Sequence, residues 1–362
     1  MQTQTGRVPS ASVCAERGEA MAKKKQYGGI DILKLLMAVV VVAVHTLRFP
    51  TGLRLLDRVW PALNHYPVPV FFLAAGFLLG NRMESPFSAP ENRKLLIDYF
   101  QRIMRMYGIW SLIYFPLLLA MGRANGTPVL QTVVQYIRDG LFYGSHSPYP
   151  VLWYLLAVLY ALLLLMLLHR WRSSAGWVLC TGLLFLFLCN GINAFLADEG
   201  IRQPWLLFVR YVYRGSFHTA RIFYGCIYIP IGIFLAQHTV PLGAALAMLA
   251  AGFAGDLASL NLAWLNLPMC VLAAVGLFSA ASSVQLPEQK VFRLFRSMST
   301  GIYFTHMLVW HAYSMLVYGA LTFSTDAFLA TLAGSAVLSL GYGVFRRSKH
   351  RLSEAGNIAN NT

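Results

Sequence analysis

Ten stretches of about 17 to 25 predominantly apolar residues succeed one another along this sequence, each long enough to cross the hydrocarbon core of a bilayer. They cover roughly residues 30–48, 66–81, 105–122, 151–168, 175–192, 219–237, 239–257, 261–283, 299–319 and 326–345. Inside a bilayer every backbone N–H and C=O must find its partner within the protein, which leaves helices or closed barrels. Runs of this length are helical. The expected fold is therefore all-α: a polytopic integral membrane protein of about ten transmembrane helices. A charged fraction of only 12% against 57% hydrophobic residues excludes an ordinary soluble domain. The expected organisation is a disordered N-terminal segment (1–28), one transmembrane unit (29–346) and a polar C-terminal tail (347–362). Met21, followed by Ala-Lys-Lys-Lys, is an alternative start to Met1.

The net charge of +15 raises nucleic acid as a partner, but the basic residues fall in the short gaps between apolar runs and form no basic face. They read as topology signals. An even number of crossings puts both termini on one side, where Lys and Arg number seventeen against nine opposite. The positive-inside rule then makes both termini cytoplasmic. The five cysteines show no Cys-x-x-Cys spacing, and four lie in apolar runs, so no disulfide framework and no metal site is expected. Segments six and seven leave almost no loop around His238, which reads as a hairpin or one interrupted unit. The stretch 193–218 reads as a loop in which Arg202, Arg210 and Arg214 alternate with Trp205, Phe208, Tyr211 and Tyr213. It suits sugar hydroxyls or anionic headgroups, and equally an interfacial aromatic belt.

The first run, from Ile30 to Thr46, holds Lys34 and His45 as its ionisable residues within the apolar core. Groups of that kind are costly in hydrocarbon and mark function. Eleven residues are about three helical turns plus 20°, so Lys34, Ala38, Val41 and His45 form one stripe with its ends about 16 Å apart. A neutral imidazole can take a proton from a hydroxyl or attack an acyl group itself. Lys34 is a point charge for a phosphate, with Asp31 one turn before it. Arg102 and Arg105 share a helix face on the side of Lys34 and can grip phosphates bidentately. Near the end, Tyr303 and His306 lie three apart, which permits a hydrogen-bonded pair lining a polar cavity; His311 reads as an interfacial residue. No Gly-x-Ser-x-Gly elbow, Walker loop or dinucleotide fingerprint is present. No carboxylate lies at mid-span, which weakens a proton-coupled carrier reading.

On these residues the chain resembles the membrane-bound acyltransferase family 3. That family opens with Arg, ten residues, then His; here Lys34 and His45 have the spacing. Pro69-Val-Phe-Phe-Leu-Ala-Ala-Gly-Phe resembles its Pro-x-Phe-Phe-x-x-Ser-Gly-Phe element. Arg102-x-x-Arg105, Leu152-Trp153-Tyr-Leu and Ile302-Tyr303-Phe-Thr-His306 are similar to three further elements. Lys34 in place of Arg keeps charge and loses bidentate geometry, and Ala75 replaces the usual Ser before Gly76.

The resemblance implies transfer of an acyl group, often acetyl, from cytoplasmic acyl-coenzyme A to a hydroxyl of an envelope glycan or lipid-linked saccharide at a bacterial inner membrane. The coenzyme is then a donor substrate and no bound cofactor is expected. It further implies His45 as the catalytic residue and Lys34, Arg102 and Arg105 as donor-binding residues. Asp31, Gly76, Trp153, Tyr303 and His306 are further candidate lining residues, with Tyr303 or a backbone amide near Gly76 as oxyanion donor. A second reading is a small-solute carrier or exporter, since relatives of this membrane unit are fused to amino-acid racemases.

Overall fold

In the computed structural model, all ten apolar runs lie on helices, and no strand occurs among the described residues. The structure describes residues 27–359 except 51, 145–150, 172–173, 218, 259–262 and 288; side chains at 58, 216, 263 and 344–359 are also outside the description. The expected disordered segment falls almost wholly outside it, as do Arg172 and His218.

Among the described residues thirteen helices follow in order: α1 (Gly28–Thr46), α2 (Arg54–Leu63), α3 (Pro67–Gly80), α4 (Pro90–Ala124), α5 (Val129–Phe142), α6 (Trp153–Arg170), α7 (Ala175–Ala197), α8 (Pro204–Phe217), α9 (Tyr224–Gln237), α10 (Leu242–Ala258), α11 (Ala263–Ser283), α12 (Lys290–Tyr318) and α13 (Thr325–Ala359). A 3₁₀ turn, Ala220–Phe223, leads into α9. Pro67 and Pro90 stand where a proline costs a helix least, opening α3 and α4, whereas Pro61, Pro116, Pro230 and Pro268 lie inside α2, α4, α9 and α11. Gly319, at φ 70°, closes α12 in the left-handed conformation that favours glycine.

Among the described residues, seven helical stretches are long and apolar enough to span a membrane: α1, Val59–Gly80, α4, α6, α7, Ala220–Gln237 and Trp264–Ser283. The shorter α10 is apolar, while α12 and α13 carry more polar residues. The outward faces are apolar as well, with Leu112, Phe187, Leu316 and Val337 well over half exposed. Surfaces of that kind, spread around a helical bundle, are those of a protein solvated by lipid.

At the centre α1 packs most extensively along α12 and also against α3, α11 and α13. The α3–α9 crossing is very close. A Cβ on Gly76 would stand 2.2 Å from the carbonyl oxygen of Ile229, and one on Gly232 would stand 2.4 Å from that of Leu73. Small residues let two membrane helices meet backbone to backbone and gain dispersion contacts where no hydrophobic effect drives association.

Two sequence expectations are corrected. The stretch 193–218 is not a loop: it holds the end of α7 and all of α8. Arg210 and Arg214 donate to the carbonyls of Asp198 (2.5 Å) and Leu196 (2.6 Å), capping the negative end of α7. Trp205, Phe208 and Tyr211 are left exposed on α8, as an interfacial helix requires. Likewise, α9 and α10 do not form a hairpin. α10 packs with α11 and α2, because Gly252 and Gly276 bring the α10 and α11 backbones together.

Candidate functional site

The stripe Lys34, Ala38, Val41, His45 faces the protein. Ala38 is fully buried, Val41 is 6% exposed and Leu36 on another face is 55% exposed. Both polar ends of the stripe thus point into the bundle, where a cation and an imidazole can act on a ligand held between helices.

At the Asp31 end, the carboxylate one turn before Lys34 is held by a different cation. Arg296 of α12 donates from Nε to Oδ1 (2.9 Å) and from Nη2 to Oδ2 (2.8 Å) of Asp31. The fork of a guanidinium matches a carboxylate as an ammonium cannot. Lys34 is electrostatically close to both residues, and among the described residues it forms no salt bridge. On α4, the Arg102 guanidinium lies 4.6 Å from the centre of the Tyr99 ring, with Arg82 also near that ring. Arg105 is exposed, its Nε donating weakly to Gln101 O. The Tyr27 hydroxyl bonds Asn81 Oδ1 (2.9 Å), which ties the start of α1 to the end of α3 beside Arg82. Lys34, Arg296, Arg82 and Arg102 thus bring four cations to one end of the bundle. Arg296 and Arg82 escape the sequence reading because a helix-end arginine carries no signal separating a site from a topology anchor.

At the other end, the partly buried ring of His45 meets that of His306 on α12, 5.4 Å between centroids and tilted by 33°. His306 is fully buried; its Nδ1 lies 3.0 Å from Ile302 O, and its Nε2 has no hydrogen-bond partner among the described residues. The expected Tyr303–His306 hydrogen bond is not formed. The Tyr303 hydroxyl donates to Val151 O (2.8 Å), and its ring centre is 6.2 Å from that of His306. Three residues of separation on one helix put two side chains on a common face, but each found a nearer backbone acceptor. Of the two expected oxyanion donors, Tyr303 gives its hydroxyl hydrogen to Val151 O, and Gly76 lies at the close crossing with α9.

The two ends are connected by aromatic side chains. Tyr303 packs edge-on against Phe71 and Tyr154, each at 5.6 Å. Tyr154 in turn has Tyr99, the ring under Arg102, as a phenolic neighbour. Trp153 contributes on the other flank, where Arg221 stands 5.5 Å over its ring and lies close enough to His45 to act on it electrostatically. Arg221 is a further residue the sequence reading passed over, having counted it only as a topology charge. Two clefts open at the surface, one of about 250 Å³ lined by Pro90, Arg93, Lys94 and Ile97 and one of about 490 Å³ lined by Asn193, Leu196, Ala197, Arg214 and Thr219.

What the arrangement can do chemically is accept a proton, or an acyl group, at an imidazole in a largely dry interior, with cations at the far end of an aromatic-lined route. Comparison with known proteins bears on which. A family model described as an acyltransferase domain matches residues 27–342. Two curated proteins from Enterococcus faecalis, both named amino-acid racemase, are similar to parts of the chain. One is 32% identical over 149 residues, which are 41% of this chain and 20% of that protein. The other is 28% identical over 140 residues, 37% of this chain and 17% of that protein. The chain thus matches about a fifth of the length of these relatives. No solved structure matches.

Proposed function

We propose, on the premise that this chain belongs to acyltransferase family 3, that it moves an acetyl or similar acyl group from cytoplasmic acyl-coenzyme A to a hydroxyl of an envelope glycan or lipid-linked saccharide. The coarser statement, a multi-pass membrane acyltransferase, follows from the family and from seven apolar helices. The finer reading is carried by one observation. His45 sits inside the bundle at one end of an aromatic series, Tyr303, Tyr154 and Tyr99, whose other end is Arg102.

In this reading the phosphates of the donor rest among Lys34, Arg102 and Arg105, with Arg82 adding charge. The pantetheine arm lies along the route, and the thioester carbonyl reaches His45. The rings along the route touch in this conformation, so the arm enters when Tyr154 and Tyr303 turn aside. His45 takes the proton of the acceptor hydroxyl, the oxygen attacks the thioester carbon, the C–S bond breaks, and the thiolate leaves with the proton that His45 returns. Trp153 and Arg221 stand where the acceptor would approach. A bacterial inner membrane with the termini inside places the coenzyme pool at the Lys34 end and the glycan at the His45 end.

The test is transfer or hydrolysis of labelled acetyl-coenzyme A by full-length protein in lipid nanodiscs. His45→Ala should reduce the rate by roughly 10²–10⁴ with the melting temperature unchanged. Mass spectrometry of envelope glycans with and without the protein then identifies acyl group and acceptor together. A second reading, a small-solute carrier, draws on the racemase name of the relatives and the small share of them that is matched. Solute movement across vesicles without any acyl donor, together with no acyl turnover, would replace the first reading with this one.

A further inference from the structure

His306 poses a problem that its burial makes acute. An imidazole with no exposed surface has one nitrogen engaged by Ile302 O and the other, Nε2, without a partner among the described residues. Buried polar atoms are rarely left so, because the lost hydrogen bond to water is not recovered. The carbonyl of Ile302 can only accept, so Nδ1 is the protonated nitrogen and Nε2 carries a lone pair. The group beside that ring able to donate is the other imidazole, His45, with 5.4 Å between centroids. A ring nitrogen lies about 1.1 Å from its centroid, so two nitrogens turned toward each other stand roughly 3 Å apart, a hydrogen-bond distance. His45 is only partly buried and lies at the end of α1; the pairing asks of it a turn about its side-chain bonds that brings one ring nitrogen to Nε2 of His306.

We propose that His306 is the positioning residue of His45. Its Nε2 accepts the N–H of His45 and fixes the tautomer in which the second His45 nitrogen, bare of hydrogen, faces the acceptor hydroxyl. The pairing rests on the function proposed above for its consequence and not for its existence. When His45 takes the hydroxyl proton, it becomes an imidazolium whose N–H already points at Nε2 of His306. The positive charge is then shared across the pair until the proton returns to the departing thiolate. No atom is gained or lost: alcohol and thioester become ester and thiol. A carboxylate, the usual partner of a catalytic imidazole, would put a full charge in hydrocarbon; a second neutral imidazole orients the first without that cost.

The experiment has one arm that needs no substrate. Full-length protein with ¹⁵N-labelled histidine, in lipid bilayers, is examined by solid-state NMR, with His306→Gln and His45→Ala used for assignment. His306 is expected as the Nδ1–H tautomer, with an Nε2 signal at a hydrogen-bonded acceptor position that moves on His45→Ala. An Nε2–H tautomer, or an Nε2 signal indifferent to His45→Ala, would overturn the pairing whatever the activity. The second arm is kinetic. His306→Leu should lower kcat at least tenfold with the donor KM unchanged. His306→Gln, which keeps an acceptor oxygen, should recover part of the loss. The double variant His45→Ala/His306→Leu should be no slower than His45→Ala alone, since residues acting as a unit are non-additive. Additive losses would overturn the positioning role, and if His306→Leu does not fold, His306→Gln and the nitrogen spectra decide. A protein that moves no acyl group ends the proposed function, and the spectra still decide the pair.

Discussion

The carboxylate of Asp31, 3% exposed, takes both of its hydrogen bonds from Arg296, which leaves Lys34 for another partner. If that partner is the donor, charge is the requirement. Lys34→Arg should hold activity within a few-fold, while Lys34→Met should raise the donor KM at least tenfold, read from the dependence of rate on acyl-coenzyme A concentration; equal activities would remove Lys34 from the site. The ion pair itself is a stability element. Arg296→Met leaves Asp31 buried without its partner and should cost about 2–3 kcal/mol, discounted because the guanidinium is a third exposed. Asp31→Asn on top of it should recover part of that loss in thermal unfolding. At this scale the sequence disclosed which residues are expensive, Lys34 and His45, and not whom they meet. Arg296 is 265 residues from Asp31, and no periodicity links positions so far apart.

The helix that carries Phe71 toward Tyr303 is held from behind by glycine. Because a Cβ at Gly76 would meet Ile229 O at 2.2 Å and backbone cannot yield as a side chain can, Gly76→Ala should push α3 from α9. The expected loss is about 1–3 kcal/mol, with a fall in activity as Phe71 moves from Tyr303. Gly232→Ala should behave alike, and the two together should cost less than their sum, since the first substitution already separates the helices. A melting temperature unchanged by Gly76→Ala would show that the crossing accommodates a Cβ. In the sequence Gly76 carries only its place in a motif, and a glycine in a motif serves packing and catalysis with the same letter; its part in the α3–α9 crossing is visible only in the structure. In α8, similarly, the alternating aromatics and arginines read as a loop, while the capping of α7 by Arg210 and Arg214 depends on where the chain folds back.

For the whole molecule, the orientation in the membrane decides which pool each end of the site meets. In a background with the native cysteines replaced, Asn125→Cys, at the His45 end, should react with an impermeant maleimide in intact cells, and Glu91→Cys, at the Asp31 end, should react only after lysis. The reverse pattern would turn the site over and place His45 toward the cytoplasm. The bundle is also tied across its width at the His45 end. Asp256, fully buried on α10, is bonded by Tyr66 (2.8 Å) and Asn266 (2.7 Å), and His65 Nδ1 lies 3.1 Å from each of its oxygens. Asp256→Ala strips three partners of their acceptor at once. It should cost about 3 kcal/mol or more, seen as a lower melting temperature in detergent, and detachment of the α10–α11 pair from the start of α3.

The run of long apolar segments determined helices and membrane, because a backbone without water must satisfy itself segment by segment and each segment records that need locally. Spacing within one helix likewise put Lys34 and His45 on one stripe, since a helix fixes its own angles. Only the tertiary structure decided that Asp31 belongs to Arg296, that His45 meets His306, and that Gly76 serves a crossing. Those are pairings between surfaces of different helices, set by which faces pack most closely, and one-dimensional order carries no distance between them.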